Sequence, residues 1–119
     1  MLIDDDDMTN MIHTAIIKRL DPCVKVTAYC HAQEALTYLK RPMVPFPDYI
    51  FLDINMPILD GWGFLDQYQD LPQQSMLYML TSSIDPQDMI RAKQYDAVMG
   101  FVSKPLTVDF FAKRSQSAL

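Results

Sequence analysis

Short apolar runs alternate with amphipathic segments along this chain, five times over. Met1-Leu2-Ile3 is a stub of a first strand, and Met8, Met11, Ile12, Ala15, Ile16 and Leu20 follow at the spacing of one helix face. Asp21-Pro22 stops that helix, because a residue before proline disfavours helical backbone. Residues 24–29 read as a second strand. Ala32, Ala35, Leu36 and Leu39 mark a second helix, closed by Arg41-Pro42, and Pro45-Phe46-Pro47 forms a stiff loop. Next, Tyr49-Ile50-Phe51-Leu52 runs straight into Asp53. A run that short, rich in aromatic and branched residues, suits a strand buried on both faces. Met56-Pro57 ends it, and Asp60-Gly61 turns the chain into a helix with Phe64, Leu65, Tyr68 and Leu71 on one face. Residues 76–80 form a fourth apolar run, ending at Thr81. Asp85 can cap the next helix, with Pro86 in its first turn and Met89, Ile90 and Ala92 along it. Residues 98–102 read as a fifth strand, weakened by Gly100. Pro105 and Thr107 open a last helix with Val108, Phe111 and Ala112 inward.

This alternation predicts an α/β fold, a parallel sheet with helices on both faces. The 119 residues are read as one domain, 1–119. A net charge of −5 argues against direct nucleic-acid binding, which needs a basic face. No apolar run approaches the roughly 20 residues of a membrane span. The N-terminus meets four acids almost at once and offers no basic leader, so no membrane contact and a cytoplasmic location are expected. Cys23 and Cys30 lack metal or redox spacing and are expected to flank a strand and point into packing.

If all five strands are parallel, their C-terminal ends gather at one edge, where such sheets bind ligands. The first ends in Asp4, Asp5, Asp6 and Asp7, the third in Asp53, the fourth in Thr81 with Ser82 and Ser83 behind it. The fifth leads to Lys104 and Pro105. Crowded carboxylates repel, and one takes up a proton unless a cation sits among them. Oxygen ligands plus water suit Mg²⁺. A lysine and a hydroxyl added to such a pocket can hold a tetrahedral oxyanion against Asp53, the apparatus of phosphoryl transfer to a carboxylate. Asp6 and Asp7 are better placed to cap the first helix. His13 and His31 lie on predicted helices without paired ligand spacing and are not expected to donate phosphate or bind metal. Trp62 is expected to pack.

Four stretches in order carry a family resemblance: Leu2-Ile3-Asp4-Asp5-Asp6, Leu52-Asp53-Ile54-Asn55-Met56-Pro57-Ile58-Leu59-Asp60-Gly61, Met79-Leu80-Thr81-Ser82-Ser83 and Gly100-Phe101-Val102-Ser103-Lys104-Pro105. With them the chain resembles the receiver domain of two-component response regulators, of the chemotaxis-type, single-domain kind. The resemblance implies a flavodoxin-like, doubly wound sheet of strand order 2-1-3-4-5. It implies that Asp53 is the phosphoacceptor, Asp5 a direct Mg²⁺ ligand, Asp4 a ligand through water, and Asn55 a ligand by its backbone carbonyl. It further implies that Thr81 hydrogen-bonds the phosphoryl group, that Lys104 pairs with a phosphoryl oxygen, and that Phe101 occupies the aromatic switch position. Phe101 stands where the family often has tyrosine, so it can change burial but cannot donate a hydrogen bond. A cis Lys104-Pro105 bond is expected.

The implied function is a signalling phosphoacceptor rather than an enzyme. It would be charged by a sensor histidine kinase or a histidine phosphotransfer domain, and it would act on a downstream protein that the sequence does not name. Two alternatives stay open. One is a phosphorylation-independent docking module, against which the intact set of acids, Asp53, Thr81 and Lys104 argues. The other is a receiver cut from a longer hybrid kinase or transcription factor, which the short first strand keeps in view.

Overall fold

The computed structural model describes residues 1–107 and 109–111. Its elements are β1 (Leu2–Ile3), α1 (Asp7–Leu20), β2 (Ala28–Tyr29), α2 (Ala32–Leu39), β3 (Tyr49–Asp53), α3 (Gly61–Tyr68), β4 (Met76–Thr81), α4 (Pro86–Ala92) and β5 (Val98–Ser103). All four strand pairings are parallel, and the sheet order is β2-β1-β3-β4-β5. The sheet is therefore the expected doubly wound one.

Successive side chains of a strand point to opposite faces, and the core divides accordingly. Ile3, Ile50, Leu52, Leu77 and Met79 pack with α2, α3 and Ala92 on one side. Leu2, Phe51, Tyr78 and Leu80 pack on the other with Leu106 and with half-buried Ile17, Phe110 and Phe111. The central strands β3 and β4 are thus apolar at every position before their last, because both faces are covered. Helix α2 buries Ala32, Ala35, Leu36 and Leu39, as its spacing predicts. Helix α3 buries Phe64, Leu65, Tyr68 and also Trp62, while Leu71 lies beyond its end, half-buried.

Helix α1 does not bury the face its apolar spacing predicts. Asn10 and His13 are its buried residues, whereas Met8 and Met11 are each 65% exposed, Ile12 49% and Leu20 43%. The cause is polar. The Asn10 side-chain amide donates to the Asp4 carbonyl at 2.9 Å, and the His13 ring accepts from the Leu106 N–H. Satisfying buried backbone groups has outweighed turning methionines inward.

Strand β2 is shorter than the run 24–29 because β1 is its only neighbour in the sheet and offers Leu2 and Ile3 alone for pairing. Strand β5 extends one residue past the expected run, to Ser103. Its register slips between Val98 and Gly100, opposite Leu77 and Tyr78. Gly100 thus marks an irregularity in a real strand. Cys23 is exposed and Cys30 half-buried, so the expectation that both pack inward holds for neither fully; Cys23 falls in the loop after α1, which the sheet does not cover. Backbone at 109–111 is helical and Phe111 packs inward; Val108 and Ala112 lie outside the described residues.

Helix α4 is lightly seated, with Ala92 its one buried residue; Met89 is 44% and Ile90 63% exposed. Its hold on the body is lateral. The Arg91 guanidinium lies 4.5 Å from the centroid of the Trp62 ring on α3. Just past α4, Tyr95 stacks with its ring centroid 6.0 Å from that of Trp62, and its hydroxyl donates to Asp66 at 2.6 Å.

The turn after β3 is closed by contact. The Gly61 N–H donates to the Ile54 carbonyl at 2.9 Å, and a Cβ at Gly61 would meet the Asp53 carbonyl oxygen at 2.8 Å and the Ile54 Cα at 3.0 Å. Those are backbone atoms at the last residue of β3 and the one after it, so neither can swing aside. Gly61→Ala is expected to cost about 1–3 kcal/mol, the usual range for forced overpacking, seen as a lower urea midpoint than wild type.

Candidate functional site

Each strand end delivers its residue for a local reason. Asp4 follows β1 and is held on every polar side. Its N–H donates to the Tyr29 carbonyl at 3.0 Å, its carbonyl accepts from Asn10, and its Oδ1 accepts from the Asp6 N–H at 2.9 Å. Asp6 is the N-cap of α1, accepting from the Met8 N–H at 3.1 Å and from the Thr9 hydroxyl at 2.8 Å. Capping by Asp6 leaves Asp5 between them, exposed. Asp53 ends β3, buried, and its Oδ1 accepts from the Asn55 N–H at 3.3 Å. Asn55 itself is exposed. Asp60 caps α3 through the Gly63 N–H at 2.9 Å, and Asp85 caps α4 through the Gln87 N–H at 2.9 Å.

Carboxylate oxygens of Asp4, Asp5 and Asp53 lie within 4.8 Å of one another. Ligand oxygens of one octahedral magnesium shell stand about 3–4 Å apart, so these three fit a divalent cation, with exposed Asp5 on the open side. Lys104 reaches the same place from beyond β5. Its Nζ is 2.7 Å from Asp4 Oδ2 and 3.3 Å from Asp53 Oδ1. Lys104 is held by its own N–H, which donates to the Thr81 carbonyl at 2.8 Å, and its bond to Pro105 is cis.

Thr81 ends β4 and is buried. Its hydroxyl is turned onto the backbone of Ser83, donating to the carbonyl at 2.8 Å and accepting from the N–H at 3.2 Å. Phe101 lies opposite Met79 in the ladder and is half-buried against the α3 side of the core. The structure thus gathers Asp4, Asp5, Asp53 and Lys104 into one cluster, places Asn55 on it by its N–H, and sets Thr81 at the adjoining strand end. His31 is the exposed N-cap position of α2 and makes no side-chain cap hydrogen bond there.

Two residues of the site's framework were missed in the sequence, Asn10 and His13. The available signal was a pair of polar side chains three apart, hence on one face of the helix, set among Met8, Met11 and Ile12. Burial pulls the His13 imidazole below its ordinary pKa, Asp4 opposes and Lys104 assists, so the neutral ring is favoured.

Asp53 and Lys104 shift in the same direction, each for its own reason. Burial, then the neighbouring Asp4 charge, push the Asp53 carboxyl up to about 6, against the pull of Lys104 and the Asn55 N–H. Burial lowers the Lys104 ammonium, but hydrogen bonding and attraction from Asp4 and Asp53 outweigh it and leave its pKa raised. One ammonium between two buried carboxylates therefore leaves the site short of positive charge.

That shortage has a measurable sign. An unfolded Asp53 carboxyl titrates near 3.8 and the folded one near 6. Between those values the folded chain keeps a proton that the unfolded chain has lost, so this group's share of stability falls as pH rises through the window. In metal-free buffer at pH 7, Asp53→Asn is expected to raise unfolding free energy by about 1–3 kcal/mol. In urea titrations the gain should shrink toward zero as pH falls to about 4. Equal midpoints at pH 7 would show that the ionised carboxylate carries no such penalty.

The response regulator receiver domain family matches residues 1–115. The crystal structure of a two-component response regulator from Cytophaga hutchinsonii is 32% identical and superposes with a TM-score of 0.86, over 98% of this chain and 92% of that one. Chemotaxis protein CheY4 of Vibrio cholerae, 23% identical, shares the fold with a TM-score of 0.73 over 99% of this chain and 95% of its own. Stress response regulator protein 1 of Meyerozyma guilliermondii is 30% identical over 95 residues, which cover 78% of this chain and 43% of that protein. The probable C4-dicarboxylate response regulator DctR of Halalkalibacterium halodurans is 26% identical over 109 residues, 92% of this chain and 46% of that protein. The chain thus spans less than half the length of these curated relatives. It belongs to the response regulator receiver domain family, the signalling domain of two-component systems.

Proposed function

We propose that residues 1–119 act as a receiver that accepts a phosphoryl group on Asp53 in a Mg²⁺-dependent reaction and changes surface in response. The observation that carries this reading is the cluster itself. A buried carboxylate at a strand end has two further carboxylates within 4.8 Å and a lysine ammonium at 3.3 Å.

Asp5 and Asp53 would hold the metal directly, Asp4 through water, and Asn55 through its backbone carbonyl. When bound, Mg²⁺ supplies the positive charge the carboxylates lack and neutralises the phosphoryl oxygens. The donor is a phosphohistidine of a sensor kinase or histidine phosphotransfer domain. An Asp53 carboxylate oxygen attacks phosphorus in line, the P–N bond breaks, and the donor imidazole leaves with the electron pair and takes up a proton. Lys104 then exchanges its contact with Asp53 Oδ1 for a phosphoryl oxygen. The new group adds about 1.5–2 negative charges beside Thr81. The Thr81 hydroxyl leaves the Ser83 carbonyl and donates to the phosphoryl group, and Phe101 moves into the vacated space. These contacts favour one of two surfaces around α4 and β5, so phosphorylation shifts a population rather than building a new fold. An acyl phosphate is labile, and slow self-catalysed hydrolysis resets the domain. The downstream protein is read by that surface, and the compartment proposed is the cytoplasm; among the described residues no helix is long and apolar enough to cross a membrane.

Incubation with acetyl phosphate and Mg²⁺ should add one phosphoryl mass to the wild-type chain and none to Asp53→Asn, read by intact-mass spectrometry. Asp5→Asn should weaken Mg²⁺ binding at least tenfold, since it removes a charged ligand. Lys104→Ala should keep most metal affinity while slowing phosphorylation. A wild type that gains no mass would leave the phosphorylation-independent docking module as the better account.

A further inference from the structure

We infer that His13 is a positioning residue for Lys104, acting through the backbone of Leu106; the inference rests on the phosphoacceptor reading for its functional meaning. The His13 ring is fully buried on a helix whose Met8, Met11 and Ile12 are exposed instead. Its Nε2 accepts the Leu106 N–H at 3.1 Å, across 93 residues of chain. With Nε2 accepting, the proton of the neutral ring sits on Nδ1, which has no partner among the described residues. The ring therefore makes this hydrogen bond while no described residue takes its Nδ1–H, an arrangement a purely space-filling residue would not need.

Leu106 lies two residues beyond Lys104. Its side chain is 1% exposed, packed with Leu2, Phe51, Tyr78 and Leu80. The segment that carries Lys104 is thus pinned at both ends, by the Lys104 N–H on the Thr81 carbonyl and by the Leu106 N–H on His13. One turn earlier on the same helix face, Asn10 holds the carbonyl of Asp4 at 2.9 Å. Asp4 is the carboxylate that Lys104 contacts at 2.7 Å. Helix α1 therefore holds backbone on both sides of that ion pair, Asp4 itself through Asn10 and Leu106, two residues past Lys104, through His13. The aim of the Lys104 ammonium between Asp4 and Asp53 follows from that grip.

The test compares His13→Leu, which fills the space without an acceptor, with His13→Gln, whose Oε1 can replace Nε2. Native-state acetylation of Lys104 by N-hydroxysuccinimide acetate, followed by peptide mass spectrometry, reads the lysine without any phosphoryl chemistry. Lys104 should label several-fold faster in His13→Leu and near the wild-type rate in His13→Gln. With acetyl phosphate at saturating Mg²⁺, His13→Leu should slow Asp53 phosphorylation by about ten- to a hundredfold, the scale of an ångström's misplacement, with Mg²⁺ affinity unchanged. His13→Gln should recover most of that rate. If His13→Leu does not fold, His13→Asn, whose shorter side chain falls short of Leu106, takes its place. Wild-type labelling of Lys104 in His13→Leu, or equal effects of the leucine and glutamine variants, overturns the inference. A wild type that takes no phosphoryl group overturns the phosphoacceptor reading instead, and the labelling ratio still decides whether His13 sets Lys104.

Discussion

Two carboxylates buried side by side at the end of a parallel sheet are the constraint around which this molecule is arranged. Asp4 is fully buried and Asp53 nearly so, and a single ammonium lies between them. Like charges at that distance and burial cannot both remain ionised without help. The fold supplies part of that help by fixed means. Asp4 is clamped by the Tyr29 carbonyl, by Asn10 and by the Asp6 N–H, so it cannot retreat into solvent. Gly61 packs against the carbonyl of Asp53, so that residue cannot retreat either. What remains is a standing deficit of positive charge, which a divalent cation or a proton can fill.

This electrostatic poise explains why the surrounding parts are mostly backbone contacts. A hydrogen bond to a main-chain group fixes where a strand end stops, and strand ends are what deliver the charged side chains. Asp60, Asp6 and Asp85 all serve as helix caps around the same edge. They stop each helix where the site begins and leave Asp5 as the exposed acid of the cluster.

The sheet was legible in the sequence because β3 and β4 are buried on both faces, and uninterrupted apolar runs leave few other readings. The site was legible because its members sit one after another at strand ends, where topology alone brings them together. Helix α1 was misread for a reason that composition hides. Counting apolar residues selects Met8, Met11 and Ile12, but the helix turns by the demands of buried carbonyl and amide groups, which choose Asn10 and His13. The length of β2 depends on its neighbour and not on its own residues. The ion pair between Lys104 and Asp4 was likewise out of reach. The sequence places both residues at one edge, but which oxygen the ammonium prefers is decided in three dimensions. The demand for glycine at 61 comes from the close approach of the start of α3 to the backbone at the end of β3, which no local pattern records.

Helix α4 presents a different economy. With Ala92 as its sole buried side chain, a rigid displacement of the helix uncovers almost no oil-like surface. Resistance comes instead from a sideways latch, a guanidinium resting on an indole and a phenol tied to Asp66. A cation over an aromatic ring is worth about 0.5–2 kcal/mol, well below the cost of opening a core. The part of the surface that borders Thr81 is thus held by a few weak lateral contacts rather than by a buried face, and little work is needed to shift it.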